Sequence, residues 1–562
     1  MSSVSTFTIN PGPLGDAVTR AHARLDQLHV NETLWGKRLD IWSHDTAIQQ
    51  LIGGRLGWLD ALNVVEPQLA RVRACAEGVR RDGFTHVVLL GMGGSSLAPE
   101  VLRRVLSSPE SVPVFRVLDS VDPDAVRAAM DHADTSLFIV ASKSGSTIEP
   151  NTMAAEARRR VLAAGHTDWG KRFIAITDPD TMLHRRATAD GFRDIFVNPP
   201  DIGGRYSALS LFGVVPAALM GIDLDALIAG ARAMETACRL TPVGDNPGLA
   251  LGSIMAAGAL SGRDKLTLLL PKRLESFGLW VEQLVAESTG KHGKGVVPIT
   301  GESAGLSLGS DRVIVSVTVG NDTPDAAVVE QATASGAPAV SIHLPDVHAL
   351  GAEFLRWEIA TATAGLLMDI NPFDEPNVKQ AKDATAALLN TYQQSKRLPL
   401  PEPHAEIGGV RLTLSNAAQT QLSGDAATSI LRVIGALDYF CLLAFLPPDD
   451  VVFESALREF RMTIGSRAAC ATMCGYGPRY LHSTGQLHKG GPNNGVFLIV
   501  VAEAADDLAI PDQPFSFSVL ETAQALGDFQ SLDRTGRRAM LMTMPRRDVE
   551  LFRRVTATII GS

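Results

Sequence analysis

Short apolar runs ending in glycine, hydroxyl or proline residues recur along this chain, and between them apolar positions return every three or four residues. The first eighty residues carry only the second pattern. "PLGDAVTRAHARLDQL" and "LDALNVVEPQLARVRACAEGVRR" place apolar side chains at helical spacing, so residues 1–80 are expected to form a helical segment. Then "THVVLLGMGGSS", "VFRVLDS", "SLFIVASKSGS" and "RFIAITDP" each read as a buried strand running into a turn, with helical stretches between them. Strands alternating with helices imply a parallel sheet covered on both faces. This first α/β unit occupies residues 81–239. "DKLTLLLP", "DRVIVSVTVG" and "PAVSIHLPD" restart the pattern as a second unit over 240–395. The polar stretch "QQSKRLPLPEPHAEIGG" reads as a linker. Beyond it, "DYFCLLAFLP", "NGVFLIVVAEA" and "RAMLMTMP" predict an additional C-terminal α/β region over 396–562, in which "RAACATMCGYGP" reads as a helix.

Composition narrows the function. A length of 562 residues suits about three or four domains, with a core large enough to need neither disulfide nor metal. The formal charge of −10 argues against a nucleic-acid binder, yet leaves room for a small anion held locally. Cys470 and Cys474 stand four apart, and no second close cysteine pair completes a zinc site. The five cysteines read as reduced, buried thiols, and neither metal nor cofactor is expected. The start "MSSVSTFTINPGPLGD" lacks a basic stretch followed by an apolar run, and "YSALSLFGVVPAALMGI" reads as a buried helix rather than a membrane span. The expected setting is the cytoplasm, with no membrane partner.

Candidate chemistry lies in the turns after the strands, where α/β sheets hold ligands. "SKSGSTIEPNT" puts four hydroxyls, a lysine and a glycine into residues 142–147, with a helix expected to begin near Glu149. Free backbone N–H groups at such a helix start, together with hydroxyl donors, suit a phosphate. "GMGGSS", residues 91–96, lets a ligand approach the backbone and departs from the dinucleotide fingerprint. "IGGRYS" adds Arg205 after two glycines. In "LESFGLWVEQLVAESTGKHGKG", Phe277, Trp280, Val281 and Leu284 form one apolar helix face. Gln283 and Glu287 lie roughly 70–110° round from its centre, on a flank that borders core and cavity. A partly buried carboxylate there is suited to general-base work.

Taken together, "GMGGSSLAPE", "SKSGSTIEPNT", "GGRYS", "EQLVAESTGK" and "INPFDEPNVKQAK" resemble, in order, the signature segments of the phosphoglucose isomerase family, built from two sugar-isomerase (SIS) domains. "AEFLRWE", "NPFDEPNV" and "LHSTGQLHKGGP" further resemble the isomerase half of bifunctional transaldolase/phosphoglucose-isomerase proteins, without the transaldolase half. As the chain begins with its own Met, it is read as free-standing. The resemblance implies two doubly wound SIS-type parallel-sheet domains and an aldose–ketose isomerase interconverting glucose 6-phosphate and fructose 6-phosphate through an enediol. The alternatives are a non-catalytic SIS module that senses a sugar phosphate, and an isomerase of a related substrate such as mannose 6-phosphate.

By the same resemblance Glu287 is the base, Arg205 stabilises the developing oxyanion, and Lys382 helps open the sugar ring. Ser95, Ser142, Ser144, Thr147 and the backbone of Lys143 bind phosphate, Gly94 lets the sugar lie close, and Gln283 positions it. Two departures stand out. Glu375, Asn377 and Lys379 replace the family's Gln, Gly and Glu, and a carboxylate at 375 would repel a phosphate that the Gln helps to hold. The family's ring-opening histidine, supplied by a partner subunit some twenty to thirty residues after the catalytic Glu, is missing from "GESAGLSLGSDRVIVSVTVG". The polar segment "YLHSTGQLHKGGP" is therefore expected to fold as an exposed loop over the site of its own chain. It would supply His482 or His488, with Lys489 nearby, in a monomer or homodimer.

Overall fold

The computed structural model describes residues 5–108, 113–240, 242–302 and 308–562; the first four residues of the start read as leaderless, and 303–307 of the stretch without histidine, lie outside the described residues. Three mainly parallel sheets follow one another along the chain. The first runs Val114–Leu118, His86–Gly91, Ser136–Ala141, Phe173–Thr177, Asp194–Val197, with every pairing parallel. By order in the chain its strands lie 2-1-3-4-5, a doubly wound arrangement. Ser136–Ala141 is buried at all its positions, because helices cover both faces.

The second sheet places Val297–Ile299, Lys265–Leu269, Arg312–Val319 and Ala339–Leu344 side by side in the same 2-1-3-4 winding. Thr6–Asn10 closes its edge antiparallel to Ala339–Leu344. The N-terminal segment is otherwise helical, with Gly15–Gln27, Thr46–Gly53 and Leu69–Arg81 as its longer helices. The third sheet repeats the winding with Ala471–Tyr476, Tyr439–Phe445, Gly495–Ala502 and Arg538–Met544, and an antiparallel pair, Ala405–Ile407 and Val410–Leu414, extends its edge. The C-terminal region is thus wound like the two units before it.

Two expectations about this region are corrected. "RAACATMCGYGP" is not a helix. Helix Val451–Ala468 stops at Ala469, whose φ of +49° is left-handed, and Ala471–Tyr476 pairs with Tyr439–Phe445 as an edge strand. "YLHSTGQLHKGGP" is not an exposed loop. It folds as two short helices, Arg479–His482 and Gly485–Gly490, with Tyr480 and Leu487 sunk into the core. Each apolar anchor pulls its neighbours inward, which the polar composition concealed.

One apolar cluster joins Val88, Phe138 and Val140 of the first sheet to Leu443, Phe497 and Ile499 of the third. The C-terminal region therefore packs as part of the same body. Leu211–Leu219 is a helix buried throughout, as its composition suggested. Among the described residues no helix is long and apolar enough to cross a membrane.

Candidate active site

In a doubly wound sheet a crevice opens at the C-terminal strand ends where the winding reverses. In the first sheet that point lies between His86–Gly91 and Ser136–Ala141. The loops leaving these two strands are "GMGGSS" and "SKSGST". Gly145 (φ +66°) turns the second loop into helix Ile148–Ala163, whose N-cap residue Thr147 makes no capping bond with its side chain. The Thr147 hydroxyl instead meets those of Ser142 at 3.3 Å and Ser144 at 3.5 Å. Asn151 Nδ2 donates to the Gly145 and Thr147 carbonyls and fixes the curve. Hydroxyls and uncapped N–H groups thus converge, as an anion requires. Lys143 points its ammonium away, to Asp178 Oδ2 at 2.5 Å and the Pro200 carbonyl at 2.7 Å.

Ser95 is buried in the glycine loop. The glycines beside it serve the protein's own packing. A Cβ on Gly94 would lie 1.9 Å from the Gly204 carbonyl oxygen, and one on Gly93 (φ +54°) 2.6 Å from the His482 carbonyl oxygen. The space where a Gly94 side chain would stand is taken by the "GGRYS" loop, so the packing of the two loops by itself requires glycine there. Because backbone cannot turn aside as a side chain can, Gly94→Ala should force the two loops apart and lower the melting temperature by about 2–5 °C in a thermal scan.

Helix Phe277–Thr289 brings Glu287 to this junction. Phe277, Trp280, Val281 and Leu284 face the core, and Gln283 and Glu287 lie beside them, only 3% and 8% exposed. Gln283 Nε2 donates to Glu287 Oε2 (3.1 Å) and to the His482 carbonyl (2.8 Å). Arg205 Nη1 lies 3.4 Å from Glu287 Oε1 and donates to Glu375 Oε2 at 3.1 Å. Its Nε donates to Ser288 Oγ, and its Nη2 to the Pro372 and Asp374 carbonyls, so the guanidinium is fixed from all sides.

Burial pushes the Glu287 carboxyl above the ordinary carboxylate value, and Arg205 offsets this only in part. Burial also pushes Glu375 up, but Arg205, which sits closer to it, and Arg55 hold it below its ordinary value. Glu375 is thus an arginine partner, 3.7 Å from Arg55 as well. Lys291, fully buried, donates to Asp374 and the Asn371 carbonyl; burial, followed by Arg205, brings its pKa down to about 8.

The C-terminal region reaches the same junction. His482 Nε2 is 2.8 Å from Glu149 Oε1, and Gln524 Nε2 donates to that oxygen at 2.7 Å. Burial would raise the Glu149 carboxyl, but His482 first and Lys382 among the other influences hold it below its ordinary value. Lys382, on the exposed side of helix Val378–Ser395, is therefore within electrostatic reach of Glu149. His488 does not join them. It is 1% exposed, its ring 5.1 Å from that of Phe497 and its Nε2 3.7 Å from Cys441 Sγ. Burial, then Lys489 and Arg537, lowers its pKa well below the usual imidazole value, so it is a neutral core histidine. Glu149, Gln524, Arg55 and Lys291 were not picked out as site residues from the sequence; Glu149 and Lys291 lie inside quoted motifs, whereas Gln524 and Arg55 carry no local signal. No group of three metal-ligating side chains occurs among the described residues.

Residues 68–309 match the family described as Phosphoglucose isomerase. A glucose-6-phosphate isomerase of Rubrobacter xylanophilus is 33% identical over 371 residues, 56% of this chain and 84% of the relative. One of Parasynechococcus marenigrum is 32% identical over 349 residues, 55% of this chain; the chain spans 63% of that relative's length. Among solved structures, a hypothetical protein of Thermus thermophilus superposes with a TM-score of 0.56 at 25% identity, covering 68% of this chain and 99% of that one. A glucose-6-phosphate isomerase of Chlamydia trachomatis, 18% identical, shares the fold with a TM-score of 0.53 over 68% of this chain and 86% of that one. Sequence match, winding and strand-end loops agree: the chain belongs to the phosphoglucose isomerase family.

Proposed function

We propose that this protein interconverts glucose 6-phosphate and fructose 6-phosphate, with Glu287 carrying the proton between C2 and C1. The reading rests above all on one observation: a buried carboxylate, raised above its ordinary pKa, lies between Arg205 and Gln283 where the strand-end loops converge. The hydroxyls of Ser95, Ser142, Ser144 and Thr147, with backbone N–H groups around Lys143, hold the phosphate. His482 and Lys382 assist opening of the ring. Glu287 then removes the C2 proton of the open aldose, and negative charge develops on the sugar oxygens. The fixed guanidinium of Arg205 stabilises that charge without reorganising. Transfer of the O2 hydroxyl proton to O1 and return of the carbon-bound proton to C1 yield the ketose, so no electron acceptor is required.

A coupled assay of fructose 6-phosphate formation from glucose 6-phosphate tests the proposal. A sensing module would bind both sugars and convert neither. Ser144→Ala with Thr147→Ala should raise KM about tenfold and change kcat much less, because phosphate is held in ground and transition states alike. An unchanged KM in steady-state kinetics would make the loop structural.

A further inference from the structure

The oxygen that links His482 to Gln524 belongs to the first unit, whereas both of its donors come from the C-terminal region. Glu149 Oε1 accepts from His482 Nε2 at 2.8 Å and from Gln524 Nε2 at 2.7 Å. A carboxylate oxygen only accepts, so this contact requires a hydrogen on Nε2 of His482. In the neutral ring, Nδ1 then carries the free lone pair. Glu149 Oε2 and Gln524 Oε1 are buried with no hydrogen-bond partner among the described residues.

Gln524 lies on helix Phe517–Arg534, which also buries Glu521, Asp528 and Ser531, none more than 2% exposed. At spacings of three and four these residues share one helix face. Buried polar groups are costly unless bonded, and an apolar stripe would pack as well. This stripe grips the segment that carries His482. Asp528 accepts from Tyr480 at 2.7 Å and pairs with Lys489 at 2.5 Å, one contact on each side of the histidine along the chain. Gln524, one helical turn away, acts on the carboxylate that the histidine itself touches.

We propose that Gln524 is a positioning residue that, through Glu149, holds His482 in its Nε2–H form, leaving Nδ1 to exchange a proton with the sugar hydroxyl when the ring opens or closes. The proposal rests on the reading of His482 given above. It makes the C-terminal region a working part of the site within one chain.

The test compares two substrates in the full-length enzyme. Gln524→Met keeps the size and removes the donor. With ring-closed glucose 6-phosphate its kcat should fall about tenfold with little change in KM. With a 4,5-dideoxy aldose 6-phosphate, which has no hydroxyl placed to close a ring, its rate should match wild type. Gln524→Glu, which restores a donor only when protonated, should regain ring-closed activity relative to wild type at the same pH as the pH is lowered. Equal losses on both substrates would make Gln524 merely structural, and no loss on the ring-closed sugar would leave it without a role; either result overturns the proposal. Nitrogen NMR of wild-type His482 supplies a readout that needs no variant: a hydrogen found on Nδ1 rather than Nε2 also overturns it. Full ring-closed activity in His482→Ala would remove the underlying reading instead, so the two failures are distinguishable.

Discussion

Glu287→Gln is expected to lower kcat by at least roughly a hundredfold, the usual scale for loss of a general base. Binding of the sugar phosphate should stay near wild type, because the phosphate loop lies on a different strand and helix. The amide has almost the shape of the carboxylate. Arg205 remains fixed by Glu375, Ser288 and two carbonyls, so the site should keep its form. What is lost is the ability to accept a proton from carbon. The pH profile carries a second signature. As the proposed base Glu287 would work only when ionised, and burial raises its pKa, so activity should fall as pH drops through a value above the ordinary carboxylate one. That acid limb of kcat/KM should be absent from the residual activity of the variant. Steady-state kinetics with calorimetric binding checks both parts, and a variant with near-normal kcat would put the base elsewhere.

The sheets were legible because strands covered on both faces are continuous apolar runs, and "SLFIVA" or "YFCLLAF" has few other ways to fold. The edge strand Ala471–Tyr476 escaped because it follows directly on an alanine-bearing helix and includes a single β-branched residue, Thr472. At the site, Glu287 and Gln283 could be placed by helical phase, since their apolar neighbours fix which flank faces the core. Glu149 could not be distinguished: an acidic residue in the first turn of a helix is what the helix dipole favours anyway. Nor could the two histidines of "YLHSTGQLHKGGP" be told apart. Their fates depend on Tyr480 and Leu487, which sink into a core assembled from strands far away in the chain. Gln524 shows the limit most plainly. In "FSVLETAQALGDFQSLDR" a glutamine reads as solvent-facing, and only the approach of the first unit makes it a partner of Glu149.

His482→Ala should lower turnover of ring-closed glucose 6-phosphate by about a hundredfold and spare an open-chain substrate, since proton transfer in ring opening is the step it serves. His488→Ala should do neither. Its imidazole is neutral and packed against Phe497, so its removal leaves a cavity and lowers the melting temperature with kcat little changed. The contrast between two histidines six residues apart makes the experiment decisive, because a general disturbance of the segment would affect both variants alike. The geometry also bears on assembly. His482 touches Glu149 of its own chain, so on the proposed reading the ring-opening group would come from the same subunit. Specific activity should therefore hold constant on dilution through any dimer dissociation measured by sedimentation. Full ring-closed activity in His482→Ala would remove the histidine from the mechanism, and activity that collapses on dilution would return the missing group to a partner chain.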